Sequence, residues 1–230
     1  MSFDPKDFGL KRFNLYEIIA TSYSLVNNGS TIKPNAACMG IKLIEERCLQ
    51  ISPFSGTKTY ENLKKYKIIA VNFVEDICLY TLAALKGSKS LIELSDFPSE
   101  YYNFKYLEDY KMDVPYIKKA WGFLIGKVSE ESYKTKKNDF GEVSIPLFKL
   151  NVIYSEKLQE SHKLFNRAEN LVLETIILAT RLKLAKETGN EPLFNKIQLK
   201  INDHIENIQR FGKNKKALKS IELIKKYIKF

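Results

Sequence analysis

Leu15-Tyr-Glu-Ile-Ile-Ala-Thr-Ser-Tyr23 is a nine-residue run rich in β-branched and aromatic side chains, and the turn residues Asn27-Asn-Gly29 follow it. Such a run, closed by residues that tolerate positive φ, reads as a β-strand entering a turn. The same signature recurs outward from it. Ala36 to Leu43 and Arg47 to Ile51 read as two further strands, and Lys67-Ile-Ile-Ala-Val-Asn-Phe73 as a strand covered on both faces. Ala120 to Lys127 and Val143 to Tyr154 supply two long later strands. Several strands at this spacing predict an antiparallel barrel, closed or partly closed.

Short helices are predicted between the strands. One covers Thr59 to Lys65 and starts at the hydroxyl of Thr57 or Thr59; another covers Glu75 to Leu85. Lys86 to Pro115 reads as a long excursion with one helical turn. After Ser155 the period changes. Leu164, Ala168, Leu171, Val172, Ile176, Ala179 and Leu182 recur at three- and four-residue spacing, the stripe of an amphipathic helix. Gly189 and Pro192 end that helix. Phe194, Ile197, Ile201, Ile205 and Ile208 form a second stripe stopped near Gly212, and Lys216 to Ile228 forms a third. The fold class is therefore α+β, mainly a β-barrel, with residues 1–155 as the barrel domain and 156–230 as a helical subdomain.

Composition narrows the function. A chain of 230 residues with 44% hydrophobic and 28% charged residues is ordinary for a globular protein. No stretch reaches the roughly 18 uncharged apolar residues of a membrane helix, since Glu75 and Asp76 interrupt the best candidate. The N-terminal Met-Ser-Phe-Asp-Pro-Lys-Asp lacks the apolar region of a secretory signal, so a cytoplasmic protein is expected. Cys38, Cys48 and Cys78 form no CxxC pair, and His162 and His204 stand far apart, so neither a disulfide framework nor a metal site is expected. The net charge of +10 is concentrated late, in Lys213, Lys215, Lys216, Lys219, Lys225, Lys226 and Lys229. No aromatic residues alternate with those lysines as RNA stacking requires, so nucleic acid is the weakest partner reading.

No GxGxxG fingerprint is present. Gly122-Phe-Leu-Ile-Gly126-Lys127-Val128 imitates a P-loop, but its glycine spacing is one residue short and Val128 stands where a magnesium-binding hydroxyl is needed. Gly56-Thr-Lys-Thr-Tyr-Glu-Asn-Leu63 is a better anion site. Gly56 lets the backbone approach closely, Thr57 and Thr59 offer hydroxyls, Lys58 offers charge, and the helix that follows offers amides at the positive end of its dipole. An ordinary threonine helix cap fits those residues as well.

The ordered set around that motif resembles the archaeal DUF447 family. Tyr16-Glu-Ile-Ile-Ala-Thr is followed by Asn35-Ala-Ala-Cys-Met-Gly-Ile41, by Gly56 to Leu63, and by Ile69-Ala-Val-Asn72; Phe165-Asn-Arg-Ala168 and Ala179-Thr-Arg181 come late. The resemblance spans most of the chain. It implies an FMN-binding split β-barrel, similar to flavin reductases, with a family-specific C-terminal helical region. By that resemblance Thr57, Lys58, Thr59 and Asn62 hold the phosphate and ribityl chain. Asn35, Ala36, Met39 and Gly40 lie beside the isoalloxazine ring, and Asn72 offers an amide near the ribityl chain or flavin edge. Read without the resemblance, Asn72 is a strand-end Asn bonding a turn. The family usually has Pro where this chain has Cys38, so pairing beside the ring is expected to differ. The implied function is an FMN-dependent oxidoreductase taking hydride from NAD(P)H, as a homodimer with flavin near the interface. A non-catalytic flavin carrier or redox-responsive module is the alternative. Trp121, Tyr60 and Tyr80 read as core aromatics, and Arg167 as an ion-pair residue.

Overall fold

The computed structural model describes residues 3–28, 31–87, 96–138, 141–160, 167–210 and 214–229. Gly29 of the first turn, His162, the Leu164 end of the first helical stripe, Phe165, Asn166, Gly212 and Lys213 fall outside them.

The strands are β1 (Leu15–Val26), β2 (Thr31–Glu45), β3 (Cys48–Ile51), β4 (Ile68–Phe73), β5 (Tyr102–Leu107), β6 (Met112–Ile117), β7 (Gly122–Asn138) and β8 (Gly141–Lys157). Six of them close an antiparallel barrel in the order β1-β2-β3-β8-β7-β4, and β4 pairs back onto β1 through Ile19 to Thr21. Closure follows from alternation. On β1 the side chains of Ile18 and Ala20 point into the barrel core with Ile41, Leu43, Leu49, Ile51, Leu63, Ile69, Val71, Leu124, Phe148 and Leu150. The alternate positions of the same strands face outward. There Tyr23, Ile68, Ala70, Phe123 and Ile125 form a second cluster with Leu107 and Val114.

Leu107 and Val114 belong to a two-stranded sheet of β5 and β6, which the sequence reading took for a loop with one helical turn. Alternation in β5 is hidden because Phe104 and Tyr106 are exposed while Lys105 is half-buried, its ammonium lying 4.6 Å from the centre of the Tyr154 ring. Polar residues thus stand where an inward apolar residue would signal a strand. The false P-loop, Gly122 to Val128, lies entirely within β7.

Helix α1 (Lys58–Tyr66) joins β3 to β4. Its first turn is capped by Thr57, whose Oγ1 accepts the Tyr60 N–H at 3.3 Å, and it ends at Lys67 in the left-handed region with φ 60°. Leu63 is its anchor in the barrel core.

The chain divides into two compact units, Met1–Val74 with Ser99–Ser161, and Glu75–Pro98 with His162–Phe230. The expected division placed a single cut at 155/156. The compact units follow contact rather than order, so the segment holding α2 (Ile77–Leu85) groups with α3 (Arg167–Glu187), α4 (Glu191–Arg210) and α5 (Lys215–Tyr227). Within that unit α2 packs on α3 and α5, and α3 packs on α4. The helical stripes are buried as their period predicts: Val172, Ile176, Ala179 and Leu182 on α3, and Ile197, Ile201, Ile205 and Ile208 on α4. Gly189, at φ 66°, supplies the turn between these two helices, and Asn190 Oδ1 accepts the Leu193 N–H at the start of α4.

Candidate functional site

β2 carries the first half of the site. It pairs with β1 from Thr31 to Lys42, but β3 accompanies it only from Ile41 to Glu45. Between Thr31 and Gly40 the strand therefore has β1 as its one strand neighbour among the described residues. The connection from Ile51 to Lys58 passes from the end of β3, opposite Ile41, to the start of α1, where Thr59 meets Asn35.

Asn35 stands opposite Ser22 of β1, on the face that holds Ile18 and Ala20. Its side-chain nitrogen donates to Ser22 Oγ at 3.3 Å and to Thr59 Oγ1 at 3.0 Å. Asn62, one turn further along α1, donates to the same Ser22 Oγ at 3.0 Å. Ser22 is 0% exposed, Thr59 3%, Asn35 8% and Asn62 8%, so this is a buried polar cluster rather than a solvated surface. It is dense in groups that can donate: two carboxamides and two hydroxyls stand within hydrogen-bond distance of one another. No carboxylate takes part in these bonds.

Above the cluster, the start of α1 adds the positive end of a helix. Thr57 is exposed and already engaged: besides capping, its hydroxyl donates to Phe54 O at 2.7 Å. Lys58 is exposed at the first helical position. The structure thus brings Asn35, Thr59 and Asn62 into one hydrogen-bonded group and sets Thr57 and Lys58 at the helix end beside it.

The other expected positions separate. Ala36 is buried on the opposite face of β2 from Asn35, opposite Thr21. Met39 packs against the barrel core. Gly40 lines an outward cavity of about 440 Å³ with Leu15, Glu17, Lys42, Gln50, Ser52, Lys134 and Leu147. A Cβ on Gly40 would stand 2.6 Å from Leu15 Cδ1, so the glycine lets Leu15 lie against the strand. Cys38, at the position of the usual Pro, is half-buried opposite Ile19.

Asn72 lies on the outer barrel face. Its side-chain nitrogen donates to Ile19 O at 2.8 Å and Thr21 Oγ1 at 3.0 Å, and its oxygen accepts the Ile117 N–H at 2.7 Å. Thr21 in turn donates to Pro115 O at 2.5 Å. The carboxamide is spent on joining β4, β1 and β6 and makes no bond to the Asn35 cluster. Trp121 stacks with Phe8 and Phe73 beside the barrel core, and Tyr80 is buried on α2. Arg167 opens α3.

Two groups of residues escaped the sequence reading. Ser22 is the first; its parity with Ile18 and Ala20 placed it inward, which was the available signal. The second lies on the hairpin of β7 and β8. Tyr60 Oη is 2.9 Å from Tyr133 Oη, which donates to Glu131 Oε1 at 2.6 Å, and Lys64 and Lys67 face the same carboxylate at 3.6 and 3.9 Å. The Tyr133 hydrogen bond, helped by the two lysines, holds the Glu131 carboxyl below its ordinary range, and the same bond raises Tyr133. These contacts fasten α1 to the hairpin and could not be paired from sequence, because about seventy positions separate the partners.

Residues 16–159 match the family model described as "Protein of unknown function (DUF447) N-terminal domain". An uncharacterised protein of Methanocaldococcus jannaschii is 26% identical over 150 residues, covering 65% of this chain and 68% of that protein. Among solved structures, an FMN-bound DUF447 protein of Methanosarcina mazei superposes with a TM-score of 0.72 at 23% identity, covering 97% of this chain and 100% of that one. A flavoredoxin of Methanosarcina acetivorans is matched more loosely, with a TM-score of 0.44 at 15% identity over 68% of this chain and 75% of that one. The six-stranded barrel with C-terminal helices is accordingly a split-barrel fold, and the chain belongs to the DUF447 family.

Proposed function

We propose that this protein is an FMN-binding flavoprotein that acts as an oxidoreductase, with a reduced nicotinamide as electron donor. The observation that carries the reading is the buried cluster of hydroxyls and carboxamides formed by Ser22, Asn35, Thr59 and Asn62 under the positive end of α1. A phosphate dianion with its neighbouring ribityl hydroxyls needs such a set: acceptor oxygens met by hydroxyls, an amide, a lysine and helix amides. The M. mazei protein of the same family is FMN-bound, which supports the same choice here.

In this reading Thr57, Lys58, Thr59 and Asn62 hold the phosphate and ribityl chain. Asn35 orients Thr59. The stretch from Ala36 through Met39 to Gly40 flanks the ring along the part of β2 that β3 leaves uncovered. Asn72 acts indirectly, by fixing β4 against β1 and β6. FMN, when bound, supplies the hydride chemistry; the protein binds it, orients it and shields it from water. Such a division of labour suits a cluster without an acid or a base. The reading includes a homodimer with flavin near the interface, and Phe13, Leu15 and Phe54 are apolar side chains 60–67% exposed in the single chain.

The test begins with the absorption spectrum of the purified protein, before and after reconstitution with FMN. A flavin maximum that is retained through gel filtration is expected. Replacing Lys58 and Thr59 together with Ala should weaken FMN affinity at least tenfold, and unchanged affinity would sink the phosphate assignment. Oxidation of NADH and NADPH by the FMN-loaded protein, with and without oxygen, then separates a reductase from a flavin carrier, which the same neutral cluster would serve equally well.

A further inference from the structure

We infer that the hollow on the outer wall of the barrel at Gly40 is a subsite for the phosphates of the reduced nicotinamide dinucleotide, with Lys42 and Lys134 as its cations; the inference rests on the FMN reading above. The hollow has a volume of about 440 Å³. Strand register creates it. Ile41 and Leu43 point into the barrel core, so Gly40 and Lys42 point outward. There Lys42 stands between Leu15 of β1 and Gln50 of β3, and Gly40 stands opposite Glu17. Gly40 adds no side chain to this wall, and Leu15 and Leu147 border the recess.

The polar lining is unspent. Among the described residues, the side chains of Lys42, Gln50, Ser52 and Lys134 make no hydrogen bond or ion pair. Two lysines against the single carboxylate of Glu17 leave the lining cationic. Lys134 is also held in place. Tyr133, the residue before it, bonds Tyr60 at 2.9 Å and Glu131 at 2.6 Å, which fastens one face of the β7–β8 hairpin to α1. The next residue on the strand turns to the other face, so Lys134 reaches the hollow from a fastened hairpin.

The chemistry of the lining selects a nucleotide. Phosphate oxygens take charge-assisted bonds from the two ammonium groups, and the Gln50 amide and Ser52 hydroxyl add neutral donors. Ribose hydroxyls have an acceptor in Glu17, and the base or nicotinamide meets apolar surface at Leu15 and Leu147. Position selects the donor dinucleotide. Gly40 ends the stretch of β2 that flanks the flavin ring in the FMN reading. A nicotinamide brought against that ring leaves its phosphates within the length of one dinucleotide from Gly40, and this cationic recess meets β2 at that residue.

The experiment measures binding of NAD⁺ and NADP⁺ to the FMN-loaded, full-length protein by isothermal titration calorimetry. These oxidised forms carry the same phosphates and undergo no turnover on oxidised flavin. Replacing Lys42 and Lys134 together with Ala should weaken dinucleotide affinity at least tenfold, the size of one lost hydrogen bond to a charged group, and leave FMN affinity unchanged. Both lysines are exposed, so retained FMN binding certifies the fold of the variant. Replacing both with Arg should keep most of the affinity. Lys225→Ala with Lys226→Ala, on α5, removes the same charge away from the hollow and should change nothing. A loss confined to NADP⁺ places the 2′-phosphate in the hollow, and an equal loss for both dinucleotides places the pyrophosphate there. Unchanged dinucleotide affinity in the Lys42/Lys134 variant, or the same loss in the α5 control, overturns the inference and leaves the FMN reading standing. Weakened FMN binding in the Lys42/Lys134 variant also overturns it, since the lysines would then serve the flavin. A wild-type protein that binds no FMN overturns the FMN reading itself.

Discussion

Asn72 accepts the backbone N–H of Ile117 through its side-chain oxygen at 2.7 Å, so one buried carboxamide joins the barrel to the two-stranded sheet of β5 and β6. The same side chain donates to Ile19 O and Thr21 Oγ1, and it is 0% exposed. Replacing it by Ala leaves the Ile117 amide without its acceptor and takes a donor from the Ile19 carbonyl and from the Thr21 hydroxyl, which keeps its bond to Pro115 O, in a dry place. A loss of about 3 kcal/mol of stability is expected, since each orphaned buried group costs about 1–3 kcal/mol. Urea denaturation of Asn72→Ala checks this, and a loss below about 1 kcal/mol would contradict the assigned role.

Two glycines respond differently to the same added methyl. At Gly126 a Cβ would stand 2.9 Å from Leu150 Cβ, which is held rigidly in the buried wall of β8. At Gly40 the obstacle is the Leu15 Cδ1 tip, on a side chain that is 60% exposed and can swing away. Gly126→Ala should therefore cost about 1–3 kcal/mol by overpacking, while Gly40→Ala leaves the melting temperature close to that of wild type. Thermal melts of the two variants, run side by side, test the contrast.

Thr57→Ala removes the hydroxyl that accepts the Tyr60 N–H and donates to Phe54 O. The loss of this N-cap should lower stability by about 1 kcal/mol, and Thr57→Ser should recover most of it. Chemical denaturation of both variants without flavin keeps the measurement independent of the proposed ligand.

Acid should loosen the contact between α1 and the hairpin. Glu131 has a depressed carboxyl pKa, first because Tyr133 donates to it and then because Lys64 and Lys67 lie nearby. A depressed folded-state pKa contributes stability above the unfolded value that is lost as pH falls through the folded one. The loss should thus lie on the acid side of the ordinary carboxylate range. Tyr133→Phe removes the leading cause, so the Glu131 titration should move toward higher pH. Carboxyl-carbon NMR of the two proteins reads this directly, and identical titration curves would refute it.

The strands rich in β-branched and aromatic residues and the helices whose apolar positions recur cleanly were legible in the residues. β1 and β4 were legible as compact runs of β-branched and aromatic residues buried on both faces, and the stripes of α3 and α4 lie where their period indicates, because burial on one face is what produced it. β5 and β6 were not legible, since Lys105 occupies an inward position by spreading over the Tyr154 ring. The start of α1 was readable from Thr57 and Gly56, but the depth of Thr59 and Asn62 was not. Their burial depends on Asn35 and Ser22, brought close by strand register that no local pattern encodes. Asn72 shows the converse. Its place on a strand was foreseen, yet its partners come from β1 and β6, more than forty positions away.

The short reach of β3 has a consequence for how this protein can change. On one side β2 is held by β3 only from Ile41 to Glu45, while on the other it is tied to β1 from Thr31 to Lys42. The connection from Ile51 to Lys58 lies in neither ladder. Insertions can accumulate in that connection without shifting the register of the cylinder, so the ligand preference of such a chain is able to drift while its architecture is inherited unchanged.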